Sequence, residues 1–227
     1  MSGEKSLEDK VYEKLKDAII QKKFSINYKL IEKEIAETLK VSRTPVHTAL
    51  KLLEKDGLLA IIPNRGAFVT KKTYKEIEEA FKVRSELEKM SVRLAVKNIT
   101  DNDIKELEKI LDQESDAYKT KNRSKAYNFG SEFHLKIAEK AKNRFLKEYI
   151  GDIIVKTGVY DLIYILNDPK LEKKYFTPTQ HYKILEALKE RDGKKAEKVI
   201  QAHILTTEKQ LNLVYEEAED PLKSLAE

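Results

Sequence analysis

The sequence predicts a mainly α-helical protein in two parts. Three short helices and a small β-hairpin fill residues 1–72, and an all-helical bundle of about six helices fills residues 73–227. Three observations carry this prediction. Apolar residues recur at helical spacing along most of the chain. The stretch that breaks that rhythm, residues 58–70, holds two short apolar runs around Pro63-Asn64-Arg65-Gly66. Beyond Thr73 no further strand signal appears, and helical periodicity dominates to about residue 217.

In the first part, Leu7, Val11, Leu15, Ala18 and Ile19 place a helix over roughly residues 6–22. Phe24 to Lys29 reads as a turn. Ile31, Ile35 and Leu39 mark a short second helix that must stop before Val41. A third begins near Thr44-Pro45, with Thr44 as the expected cap and Pro45 at the first helical position. It continues through Val46, Ala49, Leu50 and Leu53 and ends at Gly57. Leu58 to Ile62 and Ala67 to Thr70 are the arms of the hairpin. In the second part, helices are expected near residues 74–98, 101–119, 123–141, 144–166, 178–190 and 193–216. The linker from Thr70 to Thr73 is short, so the two parts are expected to be mechanically coupled.

Composition narrows the function classes. The chain has 227 residues, 37% of them charged and 41% hydrophobic, which allows a substantial core under a well-solvated surface. Without cysteine there is no disulfide framework and no thiolate metal site. The opening MSGEKSLEDK has no apolar signal region, and no apolar run approaches the ~20 residues of a membrane span. A cytoplasmic protein with no membrane partner is expected. The net charge is +5, and the excess is slightly concentrated in residues 1–70, with 13 Lys/Arg against 10 Asp/Glu. That excess is a weak pointer toward nucleic acid.

Three helices and a hairpin, with a tight turn between the second and third helices, define a winged helix-turn-helix. The third helix keeps its apolar residues on one stripe and leaves Arg43, Thr44, His47, Thr48 and Lys51 on the other. Side chains of these types near a helix N-terminus reach phosphates and base edges in a major groove. Arg43 can grip guanine or a phosphate with its planar fork. Arg65, at the hairpin tip, suits an adjacent minor groove, and Gly66 permits close backbone approach.

The run LIEKEIAETLKVSRTPVHTALKLLEKDGLLAIIPNRGAFVT, residues 30–70, resembles the DNA-binding signature of the GntR family of bacterial regulators. VSRTPV and NRGAFV are its most specific words. The resemblance implies that Lys33, Arg43, Thr44 and the wing residues Arg65 and Gly66 face double-stranded operator DNA, and Ser42, His47 and Thr48 complete the expected DNA-facing set. His47 stands where the family usually has Arg, Thr48 where it often has Glu, and Ile31 where a small polar cap is usual. A shorter side chain at residue 47 weakens the expected phosphate contact and points to a different operator preference.

The helical part carries three of the four histidines, His134, His181 and His203, each on an apolar stripe. His181 precedes Asp192 by 11 residues and His203 follows it by 11. Around a turn at Asp192-Gly193, an antiparallel helix pair holds both about 16 Å from the turn, at ~1.5 Å per residue. They should therefore share a level and face the same core. Neutral imidazoles converging in a bundle suit a divalent transition metal, zinc or nickel above all.

FHLKIAEKAKNRFL (residues 133–146) and HYKILEALKERDGKKAEKVIQAHI (residues 181–204) resemble the all-helical FCD effector domain of the FadR branch of the same family. The resemblance implies a metal held by three histidines and an Asp one turn before the first of them. His134, His181 and His203 match those histidines, but the Asp position is Gly130, which cannot ligate. Water or effector oxygens are expected to complete the site. Arg84, on the inner stripe of its helix, either pairs with Glu88 one turn on or grips the carboxylate of a small effector.

The reading is therefore a DNA-binding transcription regulator, a homodimeric repressor on a pseudo-palindromic operator, with a small organic acid as its signal. Two alternatives are a metal-dependent hydrolase with an appended DNA-binding module and a metal sensor without an organic effector. Against the hydrolase, no acidic residue near the histidines is placed as a general base: Glu132 should point elsewhere on the helix.

Overall fold

The computed structural model describes residues 6–21, 23–70, 73–160 and 179–219. The chain divides into two compact units, residues 1–73 and 74–227.

In the first unit, α1 (Leu7–Ile20) is opened by a capping box in which Ser6 and Asp9 satisfy each other's backbone N–H groups. It buries Val11, Leu15, Ile19 and Ile20, and packs on α3 (Arg43–Lys55). The stripe of α3 that meets it is Val46, Ala49, Leu50 and Leu53, each at most 2% exposed. Between them lie β1 (Lys29–Leu30) and α2 (Glu32–Leu39). After α3 the chain forms β2 (Leu59–Ile62) and β3 (Gly66–Val69).

Two local details differ from expectation. The segment read as a turn to Lys29 ends in a strand: β1 pairs antiparallel with β3 through Lys29↔Phe68 and Leu30↔Ala67, giving a three-stranded sheet of order β1-β3-β2. Two residues are too few for period-two alternation to register in a sequence. Thr44, the expected cap, is already the second helical residue. Ser42 holds the N-cap position, without a side-chain cap hydrogen bond. Pro45 is then the third helical residue, where its missing N–H is still one that the helix leaves unpaired. Gly57 ends α3 with φ 81°, the left-handed conformation expected of it.

The second unit has six helices among the described residues: α4 (Tyr74–Ala95), α5 (Asp101–Lys119), α6 (Arg123–Lys140), α7 (Arg144–Tyr160), α8 (Thr179–Lys189) and α9 (Gly193–Glu219). α4 packs against α6, α7 and α9, while α5 packs against α6 and α8. Phe81, Phe133, Leu107, Leu111, Ile150, Ile184 and Leu185 fill the centre. The sharp turn before α9 is made by Arg191 at φ 54° rather than by glycine, and Asp192 accepts a hydrogen bond from Lys195 N at 3.0 Å. Residues 71–72 of the expected linker, the expected end of the 144–166 helix and residue 178 lie outside the described residues. No helix among the described residues is long and apolar enough to cross a membrane.

The α4–α5 junction is fastened by Thr100 and Asp103, which form a second capping box. Lys140 adds an ion pair to Asp103 at 2.7 Å. The Lys140 contact, partly opposed by desolvation and joined by the Thr100 hydrogen bonds, holds the Asp103 carboxyl at about 2. A carboxylate depressed below its unfolded value of 3.8 stabilises the fold above that pH, and the contribution disappears as pH falls toward 2. Asp103→Ala should therefore cost about 1 kcal/mol at neutral pH. Urea unfolding should show the gap from wild type closing near pH 2. An equal gap at both pH values would mean that the loss comes from packing instead.

Candidate functional site

Three helices of the second unit each send one imidazole to a common point. His134 comes from α6, His181 from α8 and His203 from α9, and one ring nitrogen of each lies within 4.8 Å of the others. The ring centroids of His181 and His203 are 4.7 Å apart, so the pair expected at one level about the Asp192 turn does meet. His134 and His181 are 3% and 8% exposed.

The outer nitrogen of each ring faces an acceptor. Glu114 of α5 lies against His181 Nδ1 with its two oxygens at 2.8 and 3.0 Å. Gln180 Oε1 is 2.8 Å from His203 Nδ1. Glu88 Oε2 of α4 lies 2.5 Å from His134 Nδ1, an ion-pair contact whose angle falls outside good hydrogen-bond geometry. Anionic and carbonyl acceptors at Nδ1 favour the Nδ1–H tautomer, which leaves the Nε2 lone pair of each ring for the centre. The Nε2 atoms of His134 and His181 are 3.2 Å apart. Two lone pairs at that distance repel unless a proton or a cation lies between them. Tetrahedral bonds of ~2.05 Å would put neighbouring ligand atoms about 3.3 Å apart, so the spacing of this pair fits a metal.

Electrostatics favour the same state. Desolvation lowers the pKa of His134 against the opposing pull of Glu88. His203 is half-buried, but its ring packs against the other two imidazoles, and lost hydration holds it well below 6.5. Neutral imidazoles are the ligating form.

Arg84 of α4 does pair with Glu88, and the pair is buried. Arg84 Nε donates to Glu88 Oε1 at 2.6 Å, and a terminal nitrogen donates to Thr157 Oγ1 of α7 at 3.0 Å. Burial would raise the Glu88 carboxyl, but the charges of His134 and Arg84 outweigh it and hold it at about 2. A continuous polar chain thus runs Arg84–Glu88–His134. Sequence reasoning found Arg84 and the histidines but missed Glu114, Gln180 and Thr157, and saw Glu88 only as a helical neighbour. Gly130 lies one turn before His134 and is buried beside Glu114 and His181. Glu132 is exposed, as expected.

In the first unit, Lys33, Ser42, Arg43, Thr44, His47, Thr48 and Arg65 are all exposed, and Gly66 is half-buried. Gly66 has φ 106°, and a Cβ there would come 3.1 Å from Lys29 Cε. One acidic residue that sequence reasoning did not single out organises the face. Glu32 of α2 takes His47 Nδ1 on one oxygen at 2.7 Å and Arg43 on the other at 3.2 Å. The hydrogen bond from His47 leads the contacts that lower the Glu32 carboxyl.

Comparison with known proteins bears on both units. Bacterial regulatory proteins of the gntR family match residues 7–69, and the FCD domain matches residues 79–206. The chain belongs to the GntR family. It is 28% identical over 213 residues to the HTH-type transcriptional regulator YdhC of Bacillus subtilis, covering 92% of each chain. To the HTH-type transcriptional regulator McbR of Escherichia coli it is 30% identical over 166 residues, 72% of this chain and 74% of that one. The HTH-type transcriptional repressor RspR of Escherichia coli is 25% identical over 84% of this chain and 82% of its own. The solved structure of E. coli McbR/YncC superposes with a TM-score of 0.73 at 27% identity, covering 95% of this chain and all of that one. The family and these relatives are transcription regulators, not enzymes, so this GntR chain is a DNA-binding regulator with an FCD-type helical domain.

Proposed function

We propose that this GntR regulator is a repressor whose grip on a pseudo-palindromic operator is controlled by a small organic acid, bound at a divalent metal on His134, His181 and His203. The observation that carries the reading is the convergence of the imidazoles: one ring nitrogen of each lies within 4.8 Å of the others, Nε2 of His134 and His181 face each other at 3.2 Å, and an acceptor lies beside each Nδ1. Zinc or nickel fits this nitrogen donor set. Such an ion, when bound, supplies a Lewis acid with coordination positions left for a carboxylate oxygen.

Arg84 is the second anchor for that acid. Its bond to Thr157 goes to a neutral hydroxyl. A carboxylate offers the guanidinium an opposite charge and a second acceptor oxygen that the hydroxyl lacks, so it can replace that bond. Lys33, Ser42, Arg43, Thr44, His47 and Thr48, with Arg65 and Gly66 of the wing, make the DNA contacts. Two copies are needed for two half-sites. Exposed apolar side chains on α4 (Val83, Met90) and on α7 (Phe145, Tyr149) support pairing through the helical units. The relative named as a repressor supports repression as the role.

The test is fluorescence anisotropy on an operator duplex selected from random sequence. Metal-loaded protein titrated with a panel of small mono- and dicarboxylic acids should lose affinity by about 5- to 150-fold for the active acid. Chelated protein should keep its affinity and lose the response. A change produced by metal alone would favour a metal sensor, and indifference to every acid would end the organic-acid reading.

A further inference from the structure

We infer that Glu114 is the positioning residue of the His181 ligand, and that residue 130 is glycine because it seats Glu114. The inference deepens the three-histidine reading and depends on it.

Glu114 projects from α5 into the bundle and is 0% exposed. A carboxylate removed from water in this way is unfavourable unless donors compensate it. Among the described residues its hydrogen-bond donor is His181 Nδ1, approached by both oxygens at 2.8 and 3.0 Å. The carboxylate therefore holds the proton on Nδ1, fixes the ring, and makes Nε2 a more basic donor on the side facing His134. Nε2 of His134 stands 3.2 Å away on that side. Glu114 acts through His181, from the edge of the ring remote from the cluster.

Gly130 explains how the carboxylate fits. A Cβ at this position would lie 2.9 Å from Glu114 Oε1 and 3.2 Å from His181 Cε1. Contacts below 3.0 Å essentially never occur for real Cβ atoms, so any side chain here shifts the Glu114 carboxylate, whose oxygens are held on His181, or crowds the ring. The backbone offers no other reason for glycine. Gly130 lies inside α6 and is not among the residues of positive φ, and glycine inside a helix costs about 0.5–1 kcal/mol relative to alanine. That cost is offset by the space given to Glu114. An acidic side chain at residue 130 would clash with Glu114 and repel it. The arrangement instead keeps carboxylates Glu88 and Glu114 on the outer side of the imidazoles, so no carboxylate of the protein stands where an incoming anion would bind.

The experiment combines chelator competition for zinc with 15N spectra of the histidine rings, on the full chain. Wild type should show His181 protonated at Nδ1 and bound through Nε2. Glu114→Ala should weaken zinc binding by about 100-fold, and Glu114→Gln, whose carbonyl still accepts from Nδ1, by about 10-fold with the tautomer retained. Gly130→Ala should lose affinity in the direction of Glu114→Ala. Adding it to Glu114→Ala should cost less than it does in wild type, because the tighter of its two contacts is gone and only the one to His181 Cε1 remains. If wild type binds zinc while Glu114→Ala and Gly130→Ala match it within about twofold, the positioning role is wrong and the three-histidine site stands. If wild type binds no zinc, the three-histidine reading itself falls. Should the variants fail to fold, the wild-type spectrum still decides: ligation through Nδ1 of His181 overturns the inference.

Discussion

His181→Ala should strip the protein of its metal. The substitution removes one of three imidazole donors, and the affinity lost should exceed the roughly 10- to 100-fold that follows loss of a supporting partner. It should also destabilise the apo fold. Glu114 would keep its buried position but lose its donor, and breaking a buried pair by deleting one partner costs about 3–5 kcal/mol. Two measurements separate these effects. Emission spectrometry on dialysed protein should find far less than one ion per chain, and zinc should raise the melting temperature of wild type but not of the variant. His181→Ala combined with Glu114→Leu should recover stability without recovering metal. A stoichiometric ion in His181→Ala would exclude the site.

Arg43→Ala should weaken operator binding by about 1–3 kcal/mol, roughly 5- to 150-fold. If the lost contact is to a phosphate, the slope of log affinity against log salt should also fall by about one. An unchanged slope with relaxed sequence preference would place the guanidinium on a base edge instead. Part of the loss should come from Glu32, since the variant leaves that carboxylate with His47 alone beside an anionic duplex. Glu32→Gln in the same chain should recover some affinity. Unchanged binding by Arg43→Ala would remove the residue from the interface.

What the sequence allowed depended on whether a relation was local. The stripe Val46, Ala49, Leu50 and Leu53 repeats at helical spacing, so α3 and its solvent face were legible. His181 and His203 were placed together because equal distances from one turn put them at one height. Glu114 had no such signal. Its contact with His181 spans 67 residues and depends on how α5 packs against α8. Gly130 read as a missing ligand because one chain says nothing about what would fill the space. Glu88 was visible beside Arg84, four residues away, but its second oxygen reaches His134 only because α4 meets α6. Strand β1 and the true cap of α3 were lost for a smaller reason: a two-residue strand and a two-residue shift carry too little pattern.

A consequence follows for how such a protein searches a chromosome. Most duplex it meets offers only sugar and phosphate, which attract any uncommitted cation. If Arg43 and His47 meet DNA as proposed, a random stretch of backbone must compete with Glu32, which already engages both. Only a sequence that adds bonds from base edges compensates for surrendering that partner. On that reading the bridge would shorten residence on irrelevant DNA more than on the operator, trading absolute tightness for discrimination.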